Sequence, residues 1–398
     1  MKPKRRPIIH LYLGRHQTTA SGLWVYAKTI LRIMLGYLES LKREGHKVPL
    51  LQVSYGGGEE FHTELTSLFS NFHVDIELYP LPLSLKSRRL SMFMDTFRSF
   101  PGVDLIHGTS NFVPFIMRAR RVLTLHDVLQ AFSPAPGGGL YVVMRRIYYR
   151  FMLWLQVKSV HSIITDHDMG RLQLEEYLGV AKKVRVVYPP LDKAYLEAPL
   201  PKESNRPKTF LAFATKDPRK NIDNLLFAFA ALPLKREWKL KIVSNSDEMT
   251  THLRELTASL LIDQSVSFIK NVPQWEMPLL YESVWALLFP SLGEGFGYPI
   301  YEALSQGVPV LCAKGIAIGP LRKFIEPMLI ECDSLTGKGL VEGLLRIGKL
   351  ELNLNERTLA AEAVRMALNE DLMALELLKV YRKAAPELFE SRIIGGVN

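Results

Sequence analysis

Short apolar runs, the mark of buried strands, alternate along this chain with longer stretches whose apolar residues recur at helical spacing. Ile8–Leu13, Lys47–Val53, Val103–His107, Arg121–Leu125 and Ser162–Thr165 read as strands. After the first, a polar loop leads to a helix from about Leu23 to Glu44. Gly45 closes that helix at the position that favours a left-handed residue. Residues 188–207 hold five prolines and few apolar clusters, so they read as a linker. The pattern then restarts. Thr209–Ala214, Trp238–Val243, Val266–Ile269, Ala286–Phe289 and Val308–Cys312 are expected strands, and Ile222–Leu232, Glu248–Leu260 and Met277–Ser283 the helices among them. A last helical stretch, about Leu359–Ala384, is long enough to pack across two domains.

Strands alternating with helices predict parallel sheets covered on both faces. The expected fold class is α/β: two doubly wound Rossmann-like domains facing across a cleft. Expected boundaries are a first domain at 1–190, a linker at 191–207 and a second domain at 208–371. The C-terminal helix of about 372–398 is expected to pack back on the first domain. Sheets of this kind bind ligands outside the carboxyl ends of their strands.

The stretch Ser291–Val310 carries the densest chemistry. Glu294 and Glu302 stand on either side of a glycine-bearing turn, Gly295-Phe296-Gly297, and Pro299 opens a helix. That start places Glu302 in the first turn. Backbone N–H groups and the helix dipole there favour an anion. The glycines let a ligand approach the backbone closely. Carboxylates beside an anion cradle accept hydrogen bonds from hydroxyl groups, which together suit a sugar phosphate.

Composition narrows the class. The 398 residues are 47% hydrophobic and 23% charged, as in an ordinary globular protein of two domains. A formal charge of +10 points to anionic partners without choosing among nucleic acid, lipid head groups and phosphorylated substrates. Cys312 and Cys332 fit no metal or disulfide spacing and read as reduced core thiols of a cytoplasmic protein. The N-terminus reads as a basic tail before the first strand rather than a signal peptide. No apolar run of about 18 residues is present, so no transmembrane helix is expected.

The string PSLGEGFGYPIYEALSQGVPV resembles the motif of two glutamates separated by seven residues in retaining glycosyltransferases of the family 4 type, which have the GT-B fold. It is most similar to their mannosyltransferase-like branch. Other segments carry the same resemblance. Arg219 and Lys220, in DPRKN, match the basic loop that contacts the donor diphosphate. Ser21-Gly22-Leu23 matches the glycine loop where the Gly22 backbone approaches phosphate and acceptor, with one glycine where many relatives have two. The strands ending at His107 and His126 match a histidine pair, of which the resemblance places His126 beside the donor sugar, with Asp127 orienting its ring. Val272 and Pro273 match the loop that holds the base, although Lys270 and Asn271 stand where relatives usually have glycine. Asp166 stands where a serine often follows the strand at 163–165.

The resemblance implies a nucleoside diphosphate sugar as co-substrate, with no cofactor and no metal. It gives Glu302 the ribose, Glu294 the sugar hydroxyls, and Lys220, Arg219 and the Phe296–Gly297 amides the leaving diphosphate. A donor phosphate oxygen then helps deprotonate the acceptor, a glycan or lipid-linked hydroxyl, on the front face. The mannosyltransferase-like string tilts the donor towards a GDP-mannose type and the role towards cell-surface polysaccharide assembly. Two other readings compete: a different GT-B nucleotide-sugar enzyme, such as an epimerase, and a basic nucleic-acid-binding protein. The latter lacks a recognition helix or aromatic ribonucleoprotein motif, so no nucleic acid partner is expected.

Basic residues cluster at Lys2–Arg6, Arg88–Arg89, Arg118–Arg121 and Arg145–Arg150. Leu140–Lys158 reads as a helix with Arg146 and Arg150 on one face. It is either a buried domain helix with one solvated stripe or an amphipathic helix resting on an anionic membrane surface, at the inner face of a membrane.

Overall fold

The computed structural model describes residues 5–15, 22–82, 94–95, 97–115, 118–126, 140–202, 206–233, 237–315 and 321–389. The chain forms two compact units, one of Met1–Pro189 with Glu370–Asn398 and one of Pro190–Asn369. Arg88–Arg89 and Asp127 lie outside the described residues.

The first unit is a seven-stranded parallel sheet in the order β3-β2-β1-β4-β5-β6-β7. Its strands are β1 (Ile8–Arg15), β2 (Leu50–Gly56), β3 (Ile76–Pro80), β4 (Leu105–Gly108), β5 (Arg120–Thr124), β6 (Ser162–Thr165) and β7 (Val184–Val186). Helices α1 (Gly22–Arg43), α2 (Glu59–Phe69), α3 (Leu140–Ser159) and α4 (Asp168–Leu178) connect them. Side chains alternate across the central strand. Ile9, Leu11 and Leu13 enter one core with α1, whereas Tyr12 enters the other with Ile106, Leu123 and Ile163. A strand buried on both faces is apolar almost throughout, which is why β1 is legible in the sequence. The edge strands β3 and β7 are half-exposed and short, and give no such signal. Gly45 is left-handed (φ 76°), and the His46 N–H returns to the Leu41 carbonyl (2.9 Å), ending α1 as expected.

The second unit is a six-stranded parallel sheet in the order β10-β9-β8-β11-β12-β13. Its strands are β8 (Thr209–Phe213), β9 (Lys239–Val243), β10 (Val266–Ile269), β11 (Ala286–Phe289), β12 (Val310–Ala313) and β13 (Leu329–Cys332). Its helices are α5 (Lys193–Leu196), α6 (Ile222–Ala230), α7 (Asp247–Ser259), α8 (Met277–Glu282), α9 (Tyr298–Ser305), α10 (Arg322–Ile325), α11 (Gly337–Gly348) and α12 (Leu354–Ala367). Cys312 and Cys332 are free and buried on β12 and β13, and burial pushes both thiols up.

Two expectations change. The proline-rich stretch 191–207 is part of the second unit rather than a free linker. Leu191, Tyr195 and Arg206 are buried there, and Arg206 donates to the Tyr281 and Gln306 carbonyls. Prolines suit an extended wrap as well as a linker, so the composition signal misleads. The last helical stretch is also two helices. α12 starts at a capping box between Asn353 and Glu356, and it ends because the Leu368 carbonyl accepts from the Leu191 N–H (2.8 Å). α13 (Glu370–Ala384) then belongs to the first unit. There Tyr381 donates to or accepts from His107 Nδ1 on β4 (2.7 Å), and Arg32 of α1 holds Glu370.

Candidate active site

The glutamate turn leaves the carboxyl end of β11 and enters α9. Gly297 caps the helix in the left-handed region (φ 76°, ψ 50°), where a side chain would be strained. Phe296 is buried and stacks on Tyr301 (4.6 Å between centroids), which pins the turn from below. α9 begins at Tyr298 with Pro299 second, so Glu302 is fifth and lies beyond the first turn. The dipole therefore acts on a ligand at Gly297 more than on Glu302.

Glu294 and Lys220 meet. The lysine ammonium lies 2.6 Å from Glu294 Oε1 and 5.2 Å above the centre of the Phe289 ring. Ser291 also donates to Glu294. The two loops are stitched by backbone: the Leu292 N–H donates to the Arg219 carbonyl (2.8 Å). Asn221, buried and left-handed (φ 58°), donates to the Pro290 and Ser334 carbonyls and so fixes the end of the basic loop. Arg219 itself is exposed and forks onto Asp217 (2.7 and 3.0 Å). Lys216, earlier in the same loop, is tied to Glu248 at the surface.

Glu302 sits between two tyrosines. Tyr281, fully buried, donates to Oε2 (3.0 Å), and the Tyr195 hydroxyl bonds the same carboxyl. Part of Glu302 still reaches the surface. Burial pushes its carboxyl up to about 7, against the opposing pull of the two hydroxyls. Val272 is half-buried on the loop after β10, with Asn271 left-handed before it and Trp275 exposed beyond it.

In the first unit, Gly22 begins α1, and nothing among the described residues lies within 4 Å of where its Cβ would be. His126 follows β5 and is buried. Its Nδ1 lies 2.8 Å from Asp166 Oδ2 and its Nε2 2.9 Å from the Thr109 carbonyl. In this structure both nitrogens face protein groups, and the ring ties the ends of β4, β5 and β6 together. The orienting carboxylate is Asp166. Burial pushes the Asp166 carboxyl up, but His126 and His167 outweigh it and hold it well below the usual range. His107 is bonded to Tyr381 and Thr124, and burial pushes it down to about 3.

A family model described as "Glycosyltransferase Family 4" matches residues 32–195, and one described as "Glycosyl transferases group 1" matches 199–325. The chain belongs to the family 4 type of glycosyltransferases. Its two sheets form the GT-B fold. The O-antigen chain mannosyltransferase RfbU of Salmonella typhimurium is 25% identical over 53% of this chain and 56% of its own length. The O-antigen chain mannosyltransferase B of Escherichia coli is 26% identical over 63% of this chain and 66% of its own. The chain thus matches between about half and two-thirds of these relatives. Among solved structures, HepE of Anabaena in complex with UDP and glucose has a TM-score of 0.62 at 16% identity, covering 94% of this chain and 99% of that one. At that identity the likeness is one of fold.

For this family 4 glycosyltransferase, the sequence reading named both glutamates, the basic loop and the glycine turn, and the structure joins Glu294 to Lys220. It missed Tyr195 and Tyr281, which hold Glu302, and Ser291, which holds Glu294. Tyr195 was hidden in a segment that reads as a linker. Ser291 stands three residues before Glu294 and carries a signal as a local side-chain partner.

Proposed function

We propose that this chain transfers a sugar, with retention and without a metal, from a nucleoside diphosphate sugar to a glycan or lipid-linked acceptor. The single observation that carries this reading is the Lys220–Glu294 pair beside the left-handed cap of α9. Side chains 23% and 17% exposed can be reached by a ligand. An arriving diphosphate takes the lysine, and Glu294 is released to accept from the sugar's hydroxyls. Arg219 and the Phe296–Gly297 amides add donors to the leaving group, where charge grows in the transition state. Glu302 accepts from the ribose, Val272 borders the base, and Gly22 leaves room for phosphate or acceptor.

Mannosyl transfer in polysaccharide assembly is favoured by the O-antigen mannosyltransferases among the relatives. The UDP in the HepE structure keeps the base an experimental question. A thermal-shift series over UDP-, GDP- and ADP-sugars tests the reading, since a ligand of the folded state raises Tm. One family of donors is expected to raise it, and Glu302→Ala to abolish the rise with the fold intact. No rise with any donor would refute the proposal.

Helix α3 favours a membrane-proximal acceptor and a peripheral position at the inner membrane face. Val143, Met144, Ile147, Phe151 and Trp154 are all about half exposed and share one face, with Arg150 and Lys158 exposed beside them. The helix has no acidic residue. Its solvated stripe is thus apolar and basic, as an anionic bilayer surface requires. No helix among the described residues is long and apolar enough to cross a membrane. Flotation with vesicles containing phosphatidylglycerol is expected to carry the protein, and Ile147→Glu with Phe151→Glu to leave it at the bottom.

A further inference from the structure

A second polar site lies at the carboxyl ends of β5 and β6, wholly within the first unit. His167 occupies the N-cap of α4, yet its side chain makes no capping hydrogen bond. The ring turns instead to Asp166, Nδ1 lying 2.7 Å from Oδ1. It is 7% exposed, and its Nε2 has no partner among the described residues. Beside it, the buried Thr165 hydroxyl also lacks a partner. Gly170, in the first turn of α4, makes the room: a Cβ there would overlap Thr165 Oγ1 and come within 2.9 Å of His167 Cε1.

These features fix the chemistry that Nε2 offers. The carboxylate of Asp166 accepts the Nδ1 proton, so in the neutral ring Nε2 presents a lone pair. Its other oxygen is taken by His126, which anchors the carboxylate from the far side. The Asp166 carboxylate held on the ring disfavours a second anion, phosphate or carboxylate, as its ligand. A neutral hydroxyl donor fits. The donor-binding groups proposed above all lie in the second unit apart from Gly22, which leaves this edge for the other substrate.

We propose that His167 is an acceptor-binding residue, its Nε2 taking a hydrogen bond from a hydroxyl of the sugar acceptor. The proposal rests on the transfer reaction proposed above, but its first test does not. Diethyl pyrocarbonate acylates an imidazole nitrogen that carries a free lone pair. On the whole chain, with sites mapped by mass spectrometry, His167 is expected to react well before His126 and His107, whose nitrogens are bonded. Methyl α-glycosides of mannose, glucose and galactose serve as acceptor probes, and at least one is expected to protect it. Failure of His167 to react, or reaction unaffected by all three, overturns the proposal.

Kinetics give the second arm. Asn at 167 keeps a donor for Asp166 but has no atom at the Nε2 position, whereas Gln extends an acceptor oxygen towards it. His167→Asn is expected to raise the acceptor KM about tenfold, one lost hydrogen bond, with donor KM and Tm unchanged. His167→Gln is expected to recover part of that loss. An acceptor KM within about twofold of the parent in His167→Asn overturns the assignment. Absence of any donor-induced thermal shift would instead sink the transfer reading, and the acylation pattern would still decide the role of His167.

Discussion

The two units present polar side chains at the same place in the same kind of sheet, and they use them differently. In the second unit, Lys220 and Glu294 form a single partly exposed pair that a ligand can open. In the first, His126, Asp166 and the Thr109 carbonyl form a buried chain, and among the described residues the Nε2 of His167 beside it has no partner. A pair that is easily opened suits a group that leaves with each turnover. A buried network suits a frame. The difference teaches that strand-end position marks where chemistry can occur, and that the state of each hydrogen-bonding atom decides whether it does.

The largest expected effect tests the frame. Asp166→Ala leaves the buried His126 and His167 rings without the carboxylate they share, and the loss of stability is expected to be about 3–5 kcal/mol by denaturant unfolding. Asp166→Asn keeps the shape and is expected to cost less. Lys220→Ala probes the opposite unit. It is expected to lower kcat about a hundredfold or more while shifting Tm little, because a leaving-group donor is lost and a partly exposed pair contributes little to folding. A Lys220 variant that unfolds while Asp166→Ala stays stable would reverse the comparison.

Tyr195→Phe has a smaller effect. It removes one hydrogen bond to Glu302, about 1 kcal/mol, and because that bond lowers the carboxyl's pKa, Glu302 is expected to rise further. The same carboxyl also shapes the pH profile. The folded chain holds the Glu302 proton more tightly than the unfolded one, since the pKa is raised to about 7. This contribution is complete below the ordinary carboxyl range and is lost as pH rises through about 7. Glu302→Gln is expected to remove it. Donor affinity should run the other way, strengthening as pH rises through about 7, because ribose hydroxyls donate best to the ionised carboxylate. Parallel profiles of Tm and donor-induced shift would refute the ribose role.

What was legible followed from range along the chain. The turn from Glu294 to Glu302 and the Arg219–Lys220 loop are local strings, so residue type and spacing carry them. The central strands were legible because burial on both faces makes them continuously apolar. Asp166 meets His126 from 40 residues away, and Tyr195 and Tyr281 reach Glu302 from 107 and 21. No periodicity encodes such pairings. Asp166 did stand out as a departure from the family pattern, but its partner was not readable. The stop at Leu368 depends on Leu191, a backbone bond across most of the second unit.

The return of α13 to the first unit has a consequence for synthesis. Met373, Leu377, Val380 and Tyr381 are buried in the core that β1 and α1 begin. The core around β1 and α1 thus lacks one wall until α13 has been translated. All of Pro190–Asn369 must be translated in between, on the order of ten to thirty seconds at about 5–20 residues per second. During that interval the first unit exposes the apolar surface that α13 later covers.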